Sequence, residues 1–166
     1  KIAGESCEYR DRQWQSCHSL GDKYKKGIRL LKCAVALQYT LPGVPSVYYG
    51  DEAGLEGYKD PFNRGCYPWG NENRDLIEFY KTMGKIRKEN SVFKKGYFSP
   101  VSSMLGCVAY RRHDENGNIM VIVNRNEHSI SYRLPYDFEN SIALYGANPQ
   151  NCEVFIDGCS FALLSL

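Results

Sequence analysis

The sequence predicts an α+β chain, in which an α/β portion over residues 1–90 precedes an antiparallel β sandwich over residues 91–166. Two stretches of the first portion repeat apolar residues every three or four positions, which is the spacing of a buried helix face. Beyond Asn90, short apolar runs alternate with turn residues, which is typical of an antiparallel sheet. Hydrophobic residues make up 43% and charged residues 24% of the chain. These fractions are those of a folded, water-soluble protein.

The first predicted helix covers residues 22–39 and is apolar over much of its circumference, which favours burial between two layers. Pro42, Gly43 and Pro45 end it. Residues 46–49 (SVYY) follow, and a β-branched and aromatic run between Pro45 and Gly50 predicts a short buried strand. Tyr49 is accordingly expected to be a core residue.

A long irregular stretch, residues 51–70, separates this strand from the second predicted helix. Loops of this length inside a compact domain are usually functional or disordered, and the aromatic residues here argue against disorder. The aromatic residues are Tyr58, Phe62, Tyr67 and Trp69. The second helix is expected to begin near Asn71 or Asn73, either of which can cap it.

Six strand-like runs are predicted in the second portion, at residues 97–101, 107–112, 119–124, 129–134, 154–156 and 161–164. Residues 114–118 (DENGN) predict a hairpin turn between the second and third of these. Asp157 and Gly158 predict another hairpin turn between the last two.

Charge, apolar run length and cysteine spacing exclude several classes of protein. A formal charge of +2, with both signs interspersed, gives no footprint for nucleic acid. No apolar run approaches the roughly 20 residues of a membrane helix. Seven cysteines show no metal-ligand spacing, so no cofactor is expected and most should be free thiols, as in a cytoplasmic protein. A bridge between Cys152 and Cys159 stays open.

Two adjacent segments carry a family resemblance. Residues 41–55 (LPGVPSVYYGDEAGL) resemble the eighth barrel strand and the following loop of the α-amylase family of glycoside hydrolases. Residues 59–69 (KDPFNRGCYPW) resemble the next segment of that family, especially in its neopullulanase and cyclomaltodextrinase branch. The resemblance implies the last part of a (β/α)8 TIM barrel, with the final helices and strand eight, followed by the family's C-terminal β sandwich.

The resemblance also implies an activity, namely retaining cleavage of α-glucosidic bonds in α-glucans or maltooligosaccharides. The family's catalytic carboxylates follow barrel strands four, five and seven, which would precede Lys1. We therefore assign no catalytic residue to this chain and expect it to be inactive alone. Calcium dependence of the whole protein stays open.

Asp60 and Arg64 are the main candidates for binding sugar, since by resemblance they contact glucose units on the non-reducing side of the cleavage point. A carboxylate and a forked donor suit vicinal hydroxyls. The alternative is a salt bridge that only staples the loop. Asn63 and Trp69 are further candidates, with a turn residue and a packing anchor as their alternative roles. Tyr49 is expected to be a core residue just below this site, with contact to sugar as the alternative.

The neighbouring carboxylates of Asp51 and Glu52 suggest an acid pair at the rim of a barrel. The structural interpretation is better, because adjacent side chains on an extended segment point apart, whereas retaining hydrolysis needs carboxyls about 5 to 5.5 Å from each other. His18, His113 and His128 share no spacing with a carboxylate cluster, so no role is assigned to them.

Two other functions remain open for the β portion. It could be a carbohydrate-binding module that exposes an aromatic platform, or a purely structural domain. The platform candidates are Tyr97, Tyr110, Tyr132 and Tyr136. Since an isolated piece of barrel should leave apolar helix faces around Leu31 and Phe79 uncovered, we also expect self-association or a rearranged first portion.

Overall fold

The computed structural model describes residues 19–57 and 60–166. Cys7, Cys17, His18 and Tyr58, which were considered above, lie outside these residues. The described chain forms three layers, with helices on one face of a five-stranded sheet and a two-stranded sheet on the other. None of the described helices combines the length and the apolar character that a membrane span requires.

In the described part of the chain, the first layer contains the helices α1 (Lys23–Thr40) and α2 (Arg74–Glu89) and the short α3 (Val92–Lys95). Both long helices were predicted. Asn73 caps α2, as one of the two predicted caps, because its side chain accepts a hydrogen bond of 3.1 Å from the backbone N–H of Leu76. The short α3 was not predicted, since a single helical turn leaves no periodicity to detect.

Within residues 19–57 and 60–166, seven strands form two antiparallel sheets. The larger sheet has the order β1-β2-β3-β7-β5, and the smaller one pairs β4 with β6. The strands are β1 (Tyr97–Met104), β2 (Cys107–Asp114), β3 (Gly117–Asn124), β4 (Ile130–Arg133), β5 (Ile142–Tyr145), β6 (Glu153–Ile156) and β7 (Ser160–Ser165). Six of them match the predicted runs, and β5 was missed. The antiparallel sandwich predicted for this portion is therefore present.

Two apolar clusters fill the spaces on either side of the larger sheet. The alternation along β2 and β3 sends Tyr110 and Val121 toward the helices, and Ala109 and Ile122 toward the smaller sheet. The helix-side cluster also contains Cys33, Val35, Ala36, Leu76, Phe79, Tyr80, Met83, Ile86, Val92, Phe93, Ile119, Val123, Phe161 and Leu163. A single core thus joins the two predicted portions of the chain.

Arginine side chains fix the end of α1 against the layers beneath it. Arg112 is buried on the helix side of β2 and donates to the carbonyl of Thr40 at 2.6 Å and to that of Gly96 at 2.8 Å. The hydroxyls of Thr40 and Tyr110 are 2.5 Å apart. Arg87 of α2 donates to the carbonyls of Tyr39 and Gly43. The loop that leaves α1 therefore starts from an anchored point.

The predicted strand at residues 46–49 is wrong. These residues belong to no strand and pair with no described strand, Tyr49 lies in a turn, and Val47, Tyr48 and Tyr49 are all exposed. Tyr49 is therefore not a core residue; its hydroxyl donates to the carbonyl of Gly65 at 3.0 Å. A β-rich composition cannot make a strand by itself, because the backbone hydrogen bonds of a strand need a neighbour.

The prediction of a hairpin at Asp157 and Gly158 is also wrong. The turn connects β6 to β7, but these strands belong to different sheets. Cys152 and Cys159 are free thiols, as are the other described cysteines. They lie at opposite ends of β6, and a four-residue strand separates them by more than the roughly 7 Å between Cα atoms that a disulfide tolerates.

The expected exposure of apolar helix faces is wrong as well. Phe79 is 5% exposed and packs edge-on to Tyr145 and Phe161 of the larger sheet, while Leu31 is partly buried against the same core. The sheet covers the faces that a barrel was expected to cover. Self-association stays a prediction, without these faces as its cause.

Candidate sugar-binding site

The loop from Gly50 to Asn73 presents the candidate site residues. Gly50 has a φ of +89°, and a Cβ there would lie 2.9 Å from the Leu55 side chain, so the first turn requires glycine. The backbone N–H of Leu55 donates to the carbonyl of Gly50 at 2.9 Å, and that of Asn73 donates to Ala53 at 2.9 Å. These bonds tie the start of the loop to the first turn of α2.

Asp60 and Arg64 form a two-point ion pair across a 3-10 helix (Phe62–Arg64). Nε of Arg64 lies 3.0 Å from Oδ1 of Asp60, and Nη2 lies 3.2 Å from Oδ2. The predicted alternative of a stapling pair is thus present. Both side chains remain largely exposed, so their unused donors and lone pairs face solvent and could meet sugar hydroxyls.

Tyr67 and Trp69 form an aromatic pair in the same loop, with ring centroids 4.6 Å apart. Trp69 is 80% exposed, so its alternative role as a packing anchor is wrong. A flat, exposed indole is suited to contact with the apolar face of a pyranose ring. Tyr67 was not singled out from the sequence, although the spacing of two residues on an extended segment could have indicated a shared face.

Asn63 lies within the 3-10 helix, which agrees with a turn position, and its Oδ1 is buried without a hydrogen bond to any described residue. Buried acceptors are nearly always paired in folded proteins. A donor from elsewhere, such as a hydroxyl or water, would satisfy it. Asn63 therefore has an unused acceptor beside the two polar candidates Asp60 and Arg64.

The carboxylates of Asp51 and Glu52 lie at the start of the loop. Burial, and then the neighbouring Glu52 carboxylate, raise the pKa of Asp51 above its ordinary value. Oε2 of Glu52 is buried and has no hydrogen-bond partner within the described ranges. A buried oxygen cannot attack a sugar in this conformation, which supports the structural interpretation of this pair.

An open cleft of about 490 Å³ lies beside the loop, between the first turns of α1 and α2. Its lining includes Tyr24, Glu56, Pro68, Asn71 and Glu72. The hydroxyl of Tyr24 donates to the carbonyl of Gly54 at 3.1 Å. Within residues 19–57 and 60–166, no three His, Cys, Asp or Glu side chains converge in a way that could hold a metal ion.

No family model matches the chain, but individual proteins do. An amylopullulanase from Thermoanaerobacter thermohydrosulfuricus is 46% identical over 90 residues, which cover 54% of this chain and 6% of that protein. A cyclomaltodextrinase from a Bacillus species is 35% identical over 111 residues, which cover 64% of this chain and 19% of that protein. The chain thus spans a small part of the length of either relative.

A similar fold is found in a solved structure of an amylase. The maltogenic amylase from S. marinus matches with a TM-score of 0.67 and 31% identity, over 82% of this chain and 19% of that chain. Sequence and fold together show that this chain is similar to a C-terminal part of enzymes of the alpha-amylase family of glycoside hydrolases.

Proposed function

We propose that the chain supplies one wall of the substrate site of a retaining α-glucan hydrolase and binds glucose units through the loop of residues 60–69. The exposed aromatic pair of Tyr67 and Trp69, in the same short loop as the Asp60–Arg64 ion pair, carries this proposal. An apolar ring face beside directional polar groups is the combination that a pyranose requires. The names of the relatives support an α-glucan or maltooligosaccharide as the ligand.

Asp60 and Arg64 can each form hydrogen bonds with a different hydroxyl of the same sugar. The guanidinium of Arg64 keeps donors free after pairing with Asp60, while each carboxylate oxygen of Asp60 keeps a lone pair. A vicinal diol can donate to the carboxylate and accept from the guanidinium at the same time. The ion pair then holds both groups in position instead of competing with the sugar.

We further propose that the chain does not hydrolyse glycosidic bonds by itself. Retaining hydrolysis needs an accessible carboxylate nucleophile and a carboxylic acid on either side of the scissile bond. Asp60 is paired with Arg64, and one of the two carboxylate oxygens of Glu52 is buried, so neither carboxylate is fully free to act as a nucleophile. The catalytic carboxylates would come from other parts of the protein.

Titration of the purified chain with maltoheptaose, followed by NMR, tests the binding proposal. We expect chemical-shift changes in residues 60–69, and dissociation constants roughly tenfold higher for Asp60→Ala and Trp69→Ala, since each removes about 1.4 kcal/mol of contact. Glu78→Ala is the matched control. It breaks an exposed ion pair with Lys81 on α2, and the N–O distance in that pair is similar to the distance between Arg64 and Asp60.

Two results would contradict the proposal. Equal effects of Asp60→Ala and Glu78→Ala would mean that the loop does not recognise sugar. Turnover of a chromogenic maltoside by the chain, after contaminating glycosidase has been excluded, would show that the chain holds its own catalytic carboxylates.

A further inference from the structure

One end of the five-stranded sheet carries a row of aromatic and polar side chains on the face away from the helices. The strand register places Tyr97 opposite His113, and His113 opposite Asn118, so these side chains emerge on one face from three adjacent strands. Ser99 and Arg111 form the neighbouring row. The hydroxyl of Ser99 lies 2.9 Å from Nε2 of His113, which fixes the imidazole.

The 3-10 helix Tyr136–Phe138 borders this row and holds Arg111 rigidly. Asp137 accepts two hydrogen bonds from Arg111, at 2.6 and 2.9 Å, and the guanidinium lies 4.8 Å from the centre of the Phe138 ring. Phe138 itself is fully buried. The surface is thus built from side chains in defined positions, which lowers the entropy lost on binding.

We call this region the sheet-end surface and define it by six residues: Tyr97, Arg111, His113, Asn118, Tyr136 and Asp137. Tyr97 is 73% exposed and Tyr136 is 89% exposed. Of the four tyrosines considered for an aromatic platform, these two are available, whereas Tyr110 and Tyr132 are buried and cannot contribute. Two exposed aromatic rings beside fixed polar groups provide flat apolar contact and directional hydrogen bonds on one surface.

Asn118 places an unpaired acceptor just beneath the sheet-end surface. Its Oδ1 is buried and has no hydrogen-bond partner among the described residues. An unpaired buried acceptor destabilises a fold by about 1 to 3 kcal/mol unless a further donor reaches it. A hydroxyl-bearing ligand, with rotation of the amide, would relieve this.

The chemistry of the sheet-end surface favours a neutral ligand with many hydroxyls. The charges of Arg111 and Asp137 cancel in their mutual pair, so the surface does not select an anion or a cation. Two tyrosine rings offer flat apolar contact, and the guanidinium, carboxylate, imidazole and amide offer directional hydrogen bonds. We propose that the sheet-end surface is a second site for α-glucan chains; the choice of this ligand rests on the proposed function.

The sheet-end surface is separate from the loop of residues 60–69. The loop is joined to the ends of α1 and α2, and these helices pack on the opposite face of the larger sheet. A short oligosaccharide can occupy only one of the two sites. A polymer that reaches both gains affinity from their linkage, because the second contact becomes intramolecular.

Affinity electrophoresis of the whole 166-residue chain through gels containing amylopectin tests this proposal. We expect Tyr97→Ala and Tyr136→Ala each to raise the dissociation constant for amylopectin roughly three- to tenfold, from the loss of one aromatic contact. Phe155→Ala is the matched control, since Phe155 is an exposed aromatic residue on β6 of the smaller sheet. Thermal melts would verify that each variant is folded.

The outcomes separate this proposal from the proposed function. Three results would overturn the second site. They are unchanged retention of both tyrosine variants, equal weakening of retention in Phe155→Ala, and no retention of the unmodified chain. Chemical-shift changes of residues 60–69 during the maltoheptaose titration report on the loop. We expect them to weaken in Trp69→Ala and to remain unchanged in Tyr97→Ala. If the unmodified chain shows no maltoheptaose binding at residues 60–69 but is still retained by amylopectin, the loop proposal fails and the sheet-end surface stands.

Discussion

The junction between α1 and the larger sheet and the loop of residues 60–69 use arginine in opposite ways. At the junction, Arg112 is buried without a carboxylate partner and donates to backbone carbonyls from α1 and from the segment before β1. In the loop, Arg64 is exposed and pairs with a carboxylate. The first arrangement satisfies buried carbonyls, whereas the second leaves its groups open to a ligand.

This difference teaches where stability and binding reside in the molecule. Buried hydrogen bonds are costly to lose because their partners cannot turn to water, whereas exposed ion pairs contribute little since water replaces them. We therefore expect the junction to determine stability and the loop to determine affinity. Substitutions at the two places should separate the two properties.

The largest effect is expected from Arg112→Met, which removes a donor from four carbonyls at the junction, those of Thr40, Phe93, Gly96 and Tyr97. Leaving these carbonyls unsatisfied should lower the free energy of unfolding by about 3 to 5 kcal/mol, measured by urea denaturation. Arg133→Met is the matched control, because Arg133 lies on the exposed side of β4. This substitution should change the free energy of unfolding by less than about 0.5 kcal/mol. Similar losses in both variants would refute the special role of the junction.

A smaller, pH-dependent effect is expected from Asp51→Asn. Because the folded-state pKa of Asp51 is raised, mainly by burial, its stabilising contribution is present below the unfolded pKa and is lost as the pH rises through the folded pKa. At pH 7 the neutral amide should therefore raise the melting temperature, by on the order of 2 °C. This gain should vanish below about pH 4.

Glu72→Gln provides a control of opposite sign for the same pH series. Hydrogen bonds from the backbone N–H groups of Glu72 itself and Gly70 lower the pKa of the Glu72 carboxyl, so its contribution is present above the unfolded pKa and is lost as the pH falls. This substitution should lower the melting temperature at pH 7. A gain from Asp51→Asn that is equal at pH 7 and pH 4 would refute the electrostatic explanation.

The smallest effect on stability is expected from Asp60→Ala. Its ion pair with Arg64 is exposed, so urea denaturation should show a change below about 0.5 kcal/mol, even though maltoheptaose binding weakens. A loss of 2 kcal/mol or more would mean that the pair is a structural staple, and the proposed division between the two regions would fail.

The sequence was sufficient to predict elements whose signal is local. Neighbouring residues alone determine three of these elements. They are the apolar repeat of α1, the Asn73 cap of α2 and the turn between β2 and β3. The motif at residues 41–69 was likewise sufficient for the family. Each of these depends on chemistry within a few positions, so the rest of the fold cannot alter it.

The failures concern properties that distant residues decide. Residues 46–49 have the composition of a strand but pair with no described neighbour, and β5 has an ordinary sequence that becomes a strand by pairing with β7. The burial of Tyr110 and the exposure of Tyr97 depend on which face of the sheet the helices cover. The sheet-end surface needs the register of three strands, which no short segment specifies.

One free thiol lies near the junction and another lies in the loop, so the two regions can be followed separately by chemical modification. Cys33 lies in the core between α1 and the sheet, where burial raises its pKa to about 12, while Cys66 is exposed in the loop. Since the thiolate is the reactive form, an alkylating reagent should modify Cys66 in the native protein and reach Cys33 only when the helix detaches. The modification rate at Cys33 would then measure how often the scaffold opens, and that at Cys66 whether bound sugar shields the loop.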